Sequence, residues 1–302
     1  MGAPWQDHPS WQLVGRISEA VGRDVARLLV DAEADELRAT RNAQLATFAL
    51  SVTILDAAKG GPLARVSPEL WKAVAGHSLG EYSALVAAGA LDFPEGARLV
   101  NARGEAMQAA ADAAPGTMAA VLGLALGALL DICAGTDDVW VANDNAPGQV
   151  VVAGTHDGVE QASERALEAG AKRVIPLQVG GAFHTPMMAP AQARLEAALQ
   201  AARFAHPVCP VVSNIDASGH SDGFAALLSA QLCSRVRWRE SLVELGQGGR
   251  TLFVELGPGT ELSGMARRTV PDAARANVAR PQDLPLLEAA LEASFDPPAA
   301  AP

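Results

Sequence analysis

Aromatic side chains are scarce in this chain of 302 residues: they make up 4% of it, with a single tyrosine. Proteins that hold single-stranded nucleic acid need successive aromatic platforms for stacking, so that class is poorly served here. Basic residues are also in short supply. There are 23 Lys and Arg against 34 Asp and Glu, a net charge of −11 at pH 7. Such a surface repels a phosphate backbone, so no nucleic-acid partner is expected, and any acidic partner must be met by a local basic patch. The only cysteines are Cys133, Cys209 and Cys233. Their odd number and the absence of C-x-x-C spacing disfavour a disulfide framework and a zinc site. They read as buried reduced thiols of a cytoplasmic protein, and neither a metal nor a cofactor is expected. Long hydrophobic runs are missing too. The long uncharged stretch 113–130 contains Pro115, Gly116, Gly123 and Gly127. A spanning helix needs about 20 mostly apolar residues, so no membrane partner is expected. The opening Met1-Gly2-Ala3-Pro4-Trp5-Gln6 has neither the basic nor the apolar stretch of a signal peptide.

What is present is enough apolar material for a large core: 49% of the residues, with 19% charged. Helical and strand patterns alternate, which predicts an α/β fold. The spacing predicts a buried helix over 43–58, a central parallel strand over 72–76, a helix over 79–88 stopped by Gly89, and a helix from Pro94 to about Asp112. Next come a strand (117–122), a helix (126–134), two strands (140–143 and 149–153) around Ala146-Pro147-Gly148, a helix (159–169) and a strand (173–177). That order, βαββαβ, is the ferredoxin-like unit. It places a small inserted subdomain at 116–180, within a large α/β subdomain made of 1–115 and 181–302. Further strands are expected near 208–213 and 251–255, and a disordered tail over 296–302.

The sharpest chemical signal is Gly76-His77-Ser78-Leu79-Gly80, a G-x-S-x-G at a strand-to-helix junction. A nucleophilic serine on so tight a turn is expected to exclude bulk on its neighbours, and the following helix aims its positive end at the site. A serine nucleophile needs a base. His184, in the glycine-rich loop Gly180-Gly181-Ala182-Phe183-His184, is the best candidate. His77 is expected to point away from Ser78 and to pack against or orient the elbow. His8, His156, His206 and His220 sit beside turn-type residues and read as surface. Arg103, taken alone, reads as a solvated helix arginine like Arg98.

The segments Gly76-His77-Ser78-Leu79-Gly80-Glu81-Tyr82, Arg103-Gly104-Glu105-Ala106-Met107, Asn143-Asp144-Asn145-Ala146-Pro147-Gly148-Gln149, Gly181-Ala182-Phe183-His184, Gln231-Leu232 before Val236-Arg237-Trp238, and Val254-Glu255-Leu256-Gly257-Pro258-Gly259 occur in one order along the chain. Together they resemble the malonyl-CoA:acyl-carrier-protein transacylases, of the acyltransferase family of fatty-acid and polyketide synthesis, and most of all the actinobacterial branch. The resemblance implies an α/β-hydrolase-like parallel-sheet subdomain with the ferredoxin-like insertion. It implies that Ser78 attacks the thioester of malonyl-CoA, that His184 moves the proton, and that the thiol of acyl carrier protein resolves the acyl-enzyme. No acidic third member is implied, because the family orients the histidine through the backbone carbonyl that maps onto Gln231. The Leu79 N–H is implied as half of the oxyanion hole, and Arg103 as the clamp for the malonyl carboxylate. Phe183 and Leu79 would line the acyl pocket, a large aromatic at 183 disfavouring a substituted α-carbon, with His77 beside them at the substrate site.

In one respect the sequence departs from the family. Its members begin with a strand and a Gly-Gln-Gly-Ser-Gln-like loop, and Met1 aligns just after that loop. The loop glutamine supplies the second oxyanion N–H, so the chain as given is expected to be the slower and less soluble for lacking it. Two rivals remain open at this stage. A thioesterase of α/β-hydrolase type would place its histidine late, whereas the last one here is His220. A non-catalytic docking protein for acyl carrier protein would bind the carrier without forming an ester. Candidate carrier contacts are Lys172, Arg173, Arg267 and Arg268.

Overall fold

The computed structural model describes residues 1–247 and 251–295; the segment 296–302, read above as a disordered tail, lies outside the described residues. The chain opens with α1 (Gln12–Val21), α2 (Val25–Val30) and α3 (Ala34–Arg38), which lead into α4 (Thr40–Gly60). The expected helix at 43–58 is the body of α4. Leu45, Ala46, Phe48, Ala49, Leu50, Val52 and Ile54 are all buried along it, so it is apolar on most of its circumference and forms a central pillar of the core. The buried Trp5 ring closes that core from the N-terminal side, its Nε1–H donating to the Ala279 carbonyl at 2.9 Å.

Next along the chain come β1 (Val74–Ala75), α5 (Gly80–Ala87) and α6 (Phe93–Ala113). Gly89 ends α5 in the left-handed conformation, and Pro94 occupies the first turn of α6 behind the Asp92 cap. The helices α4 and α6 touch where a Cβ on Gly104 would fall 2.8 Å from Arg41 Cα. That close approach brings the neighbouring Arg103 of α6 against Gln44 of α4.

The βαββαβ unit follows as β2 (Thr117–Leu122), α7 (Leu126–Ala134), β3 (Val139–Ala146), β4 (Gln149–Gly154), α8 (His156–Glu168) and β5 (Arg173–Pro176). Its sheet order is β3-β4-β2-β5 with every neighbouring pair antiparallel, the ferredoxin-like arrangement. Strand alternation divides the two faces. Ala119, Val121, Val141, Val150 and Val152 pack on Leu129, Val159, Ala162 and Ala166 of α7 and α8. Met118, Ala120, Ala142, Val151 and Ala153 meet Ala182, Phe183 and Met187 of the following segment. The small sheet is therefore packed on both sides, and one of those sides carries the loop that holds His184.

The remainder runs α9 (Ala189–Ala201), β6 (Val211–Val212), β7 (Gly219–His220), α10 (Phe224–Gln231), α11 (Trp238–Gly246), β8 (Leu252–Leu256), α12 (Glu261–Thr269), β9 (Ala274–Val278) and α13 (Leu284–Phe295). The run 72–76 does pair in parallel, Val74 with Val211 and Ala75 with Val212, but β1 is at the edge of the order β1-β6-β7 rather than central. Only two of its residues pair, because Gly76 already turns into the elbow, and both are half-buried. The strands β8 and β9 form a separate parallel pair joined by α12; β8 falls on the expected 251–255, whereas β9 was not anticipated.

Candidate active site

The turn between β1 and α5 is steric in origin. A Cβ on Gly76 would sit 1.9 Å from the carbonyl carbon and oxygen of Gly80, so residue 76 must be glycine. The expectation of equal crowding on both sides of the serine does not hold at Gly80, whose added Cβ would meet nothing within 4 Å. Ser78 takes φ +51°, a left-handed conformation uncommon outside glycine. Such strain persists where the surroundings over-determine it. The Ser78 N–H donates to Asn214 Oδ1 at 2.6 Å, and its carbonyl accepts from Gln231 Nε2 at 3.1 Å. Asn214 Nδ2 donates to the Gly76 carbonyl at 2.8 Å, so one amide straps both sides of the turn.

Ser78 Oγ lies 2.7 Å from Nε2 of His184, itself buried and at φ +62°. The other ring nitrogen, Nδ1, is 2.9 Å from the Gln231 carbonyl oxygen. A carbonyl only accepts, so Nδ1 carries the proton and Nε2 presents a lone pair to the serine hydroxyl. Burial, followed by the charge of Arg103, pushes the imidazole down to about 3. The ring is therefore neutral and basic in form throughout the physiological range.

Arg103 is 1% exposed. Its Nη1 donates to Gln44 Oε1, and its Nη2 to Ser78 Oγ at 3.1 Å and Gln231 Oε1 at 3.0 Å. The guanidinium also stands over the Tyr82 ring, 5.8 Å from its centroid. Its Nε and the Tyr82 hydroxyl are buried without a hydrogen-bond partner among the described residues. Burial lowers the Arg103 pKa from an ordinary value far above neutrality, and the group remains a cation. The site thus joins a hydroxyl, a neutral imidazole and a fixed buried cation within hydrogen-bonding reach, a set suited to acyl transfer from an acid-bearing acyl group.

The acyl transferase domain pattern matches residues 12–288. The malonyl CoA-acyl carrier protein transacylase of Bacillus subtilis is 41% identical over 263 residues, 85% of this chain and 81% of its own length. The Escherichia coli K12 transacylase is 38% identical over 84% of this chain and 82% of its own. The chain belongs to the acyl transferase domain family. Among solved structures, a malonyl-transacylase in complex with its type II polyketide-synthase acyl-carrier protein superposes with a TM-score of 0.88 at 34% identity, covering 96% of this chain and 94% of that one. The acyl-carrier-protein S-malonyltransferase of Burkholderia pseudomallei gives 0.88 at 37% identity, over 95% and 94%.

In this acyl transferase the remaining sequence-predicted residues fall around the same centre. His77 turns from the serine to Asn145, Nε2 to Oδ1 at 2.8 Å, and packs edge-on against Trp238. Phe183 is half-buried between the main core and the small sheet. Leu79 is half-buried, its carbonyl accepting from the Tyr82 N–H. His156 and His206 are exposed, whereas His8 and His220 are half-buried, His8 against Trp5 and His220 on Asp216. Cys133 and Cys209 are buried, Cys233 is half-buried, and all are free. Sequence reasoning passed over Gln44, Glu81 and Asn214. Gln44 could have been found as the polar residue inside an apolar helical run, since a buried polar group is the informative exception. Glu81 was within the quoted motif without a role. Asn214 follows the short strand β6, and nothing in its local pattern marks it.

Proposed function

We propose that this protein transfers a malonyl group from malonyl-CoA to the phosphopantetheine thiol of an acyl carrier protein, through an ester on Ser78. The observation that carries the reading is the meeting of Ser78 Oγ with His184 Nε2 on one side and Arg103 Nη2 on the other. Ser78 Oγ attacks the thioester carbonyl carbon while its proton passes to Nε2. The C–S bond then breaks, and Nε2–H returns the proton to the departing CoA sulfur. In the second half the carrier thiol gives its proton to Nε2 and attacks the ester, and Ser78 regains a proton as the C–O bond breaks. The Leu79 N–H, at the N-terminal end of α5, is the oxyanion donor supplied by the elbow.

Arg103 has two tasks in this scheme. Its Nη groups receive the malonyl carboxylate, the contact to Ser78 Oγ being released once that oxygen is esterified. Its charge also opposes protonation of His184. A carboxylate seated on the guanidinium relieves that opposition, so malonyl strengthens the base and acetyl does not. Phe183 beside His184 limits room at the α-carbon, and His77 with Asn145 backs the elbow.

The same reading takes 116–180 as the small subdomain and 1–115 with 181–302 as the large one. It needs no cofactor beyond the carrier's own arm, and it takes the protein as cytoplasmic. No helix among the described residues is long and apolar enough to cross a membrane. Intact-mass measurement after incubation with malonyl-CoA tests it. A malonyl adduct that accumulates on Ser78 and clears on addition of carrier protein is expected. Free malonate released without an adduct would make the protein a hydrolase, and an unmodified mass would make it a docking protein.

A further inference from the structure

Glu81 is on the first turn of α5, one turn beyond the serine, and is 2% exposed. A carboxylate so buried is retained only where its oxygens are engaged. Its Oε2 accepts from the Asn214 backbone N–H at 3.1 Å and from Gln231 Nε2 at 2.7 Å. Those two residues are the ones that hold the Ser78 peptide. Asn214 takes the Ser78 N–H, and Gln231 donates to the Ser78 carbonyl. Gln231 also offers its own carbonyl to His184 Nδ1 and its Oε1 to Arg103.

The bonds close a ring: Ser78 to Asn214, Asn214 to Glu81, Glu81 to Gln231, and Gln231 back to Ser78. Ser78 needs such a ring because a non-glycine residue at φ +51° relaxes unless both flanking peptide groups are held. We propose that Glu81 is a positioning residue: by anchoring Asn214 and Gln231 on one carboxylate oxygen, it clamps the Ser78 peptide in the left-handed conformation that aims Oγ at His184. The inference rests on Ser78 being the nucleophile. It does not depend on which acyl group is carried.

The clamp works through the position of an acceptor oxygen, not through charge. Glu81→Gln can keep an oxygen where Oε2 stands. Glu81→Asp keeps the charge but withdraws the oxygen by one methylene. The readout is the rate at which a fluorophosphonate labels Ser78 in folded protein, a reaction that needs the elbow and His184 but no thioester. Labelling is expected to fall in Glu81→Asp by roughly 10–10²-fold, the usual effect of a misplacement near 1 Å, while Glu81→Gln retains most of the wild-type rate. The reverse order, or equal rates in all three proteins, overturns the proposal. A purely structural role would shift the melting temperature and leave the labelling rate of the folded fraction unchanged. Malonyl uptake by the wild type is measured in parallel by mass, so failure of the malonyl reading and failure of the clamp appear in different measurements.

Discussion

Ser78 and His184 face each other across 2.7 Å from two left-handed backbone positions, φ +51° and +62°, in segments 106 residues apart. Neither is glycine, so both conformations are held by their surroundings and not by local preference. If this pair carries the chemistry, Ser78→Ala abolishes the malonyl adduct with the fold intact by circular dichroism. His184→Ala slows acylation by roughly 10²–10⁴-fold, the usual worth of a general base. A malonyl adduct persisting on Ser78→Ala would remove the serine from its role.

Arg103 should decide which acyl group is accepted. Arg103→Ala is expected to lower kcat/KM for malonyl-CoA and to improve acetyl-CoA relative to it, since breaking a buried charge pair costs about 3–5 kcal/mol. Arg103→Lys should recover only part of the preference, because a point charge cannot bond Gln44, Gln231 and a carboxylate in the fork geometry. Phe183→Ser should admit methylmalonyl-CoA more readily. A malonyl-to-acetyl ratio unchanged in Arg103→Ala would show that the guanidinium is not the clamp.

The pH dependence follows from where His184 sits. Burial and the Arg103 charge hold its folded pKa at about 3, below the ordinary 6.5. The lone pair on Nε2 is therefore present throughout neutral and mildly acid conditions. Fluorophosphonate labelling of Ser78 should stay flat from pH 8 down to about pH 5, with no break near the ordinary imidazole value. In Arg103→Ala the break should move upward, because the largest cause of the depression after burial is gone. A wild-type break near pH 6.5 would mean that the ring is solvated in solution.

Much of this centre was legible in the sequence, for identifiable reasons. The elbow announces itself because only glycine fits at 76, and His184 because it follows a glycine-rich loop. The strands β2, β3 and β4 could be read from apolar runs bounded by turns, since each has packed neighbours on both faces of the small sheet. Of the residues that fix the site, Gln231 was reached only through the family resemblance, and Asn214 was not reached at all. Asn214 and Gln231 act through a carbonyl, an amide edge or a backbone N–H, and those contacts depend on where α10 and the turn after β6 come to rest. The strand β1 was read as central because an apolar run ending in glycine looks the same in the middle of a sheet as at the end of the order formed here.

Glu81 gives a second, opposite pH effect. Burial raises its pKa from 4.5 to about 7, against the bonds from Gln231 and Asn214. A carboxyl with a raised folded pKa contributes stability that is full below the unfolded value and lost as pH rises through the folded one. Wild-type stability should therefore decline between about pH 5 and pH 8 on account of this group. Glu81→Gln, which cannot ionise, should gain in melting temperature relative to wild type across that interval. A constant difference between the two proteins from pH 5 to pH 8 would show that the carboxyl titrates as it does in the unfolded chain.

The last prediction concerns the carrier. Lys172 with Arg173, and Arg267 with Arg268, are about 95 residues apart in sequence, yet the fold draws them toward one end of the small sheet. Leu122 of β2 pairs with Arg173 on one side and with Gln149 on the other. Arg268, in the last turn of α12, donates to Gln149, and the Lys172 stem packs against Gly123 just beyond Leu122. All four basic residues are exposed. The same hairpin end reaches the elbow, because Asn145 of β3 bonds His77 next to Ser78. A carrier seated on this patch would meet positive charge on a protein whose net charge is −11, at the end of the sheet from which its arm has a short way to the serine. Surface charges of this kind act mainly on association rate and on salt dependence. Reversing all four to Glu should raise KM for carrier protein and flatten its dependence on ionic strength, while acylation of Ser78 by malonyl-CoA proceeds at the wild-type rate. If the carrier KM is unchanged at low salt, the carrier docks elsewhere. If acylation falls as well, these residues meet the CoA before they meet the carrier.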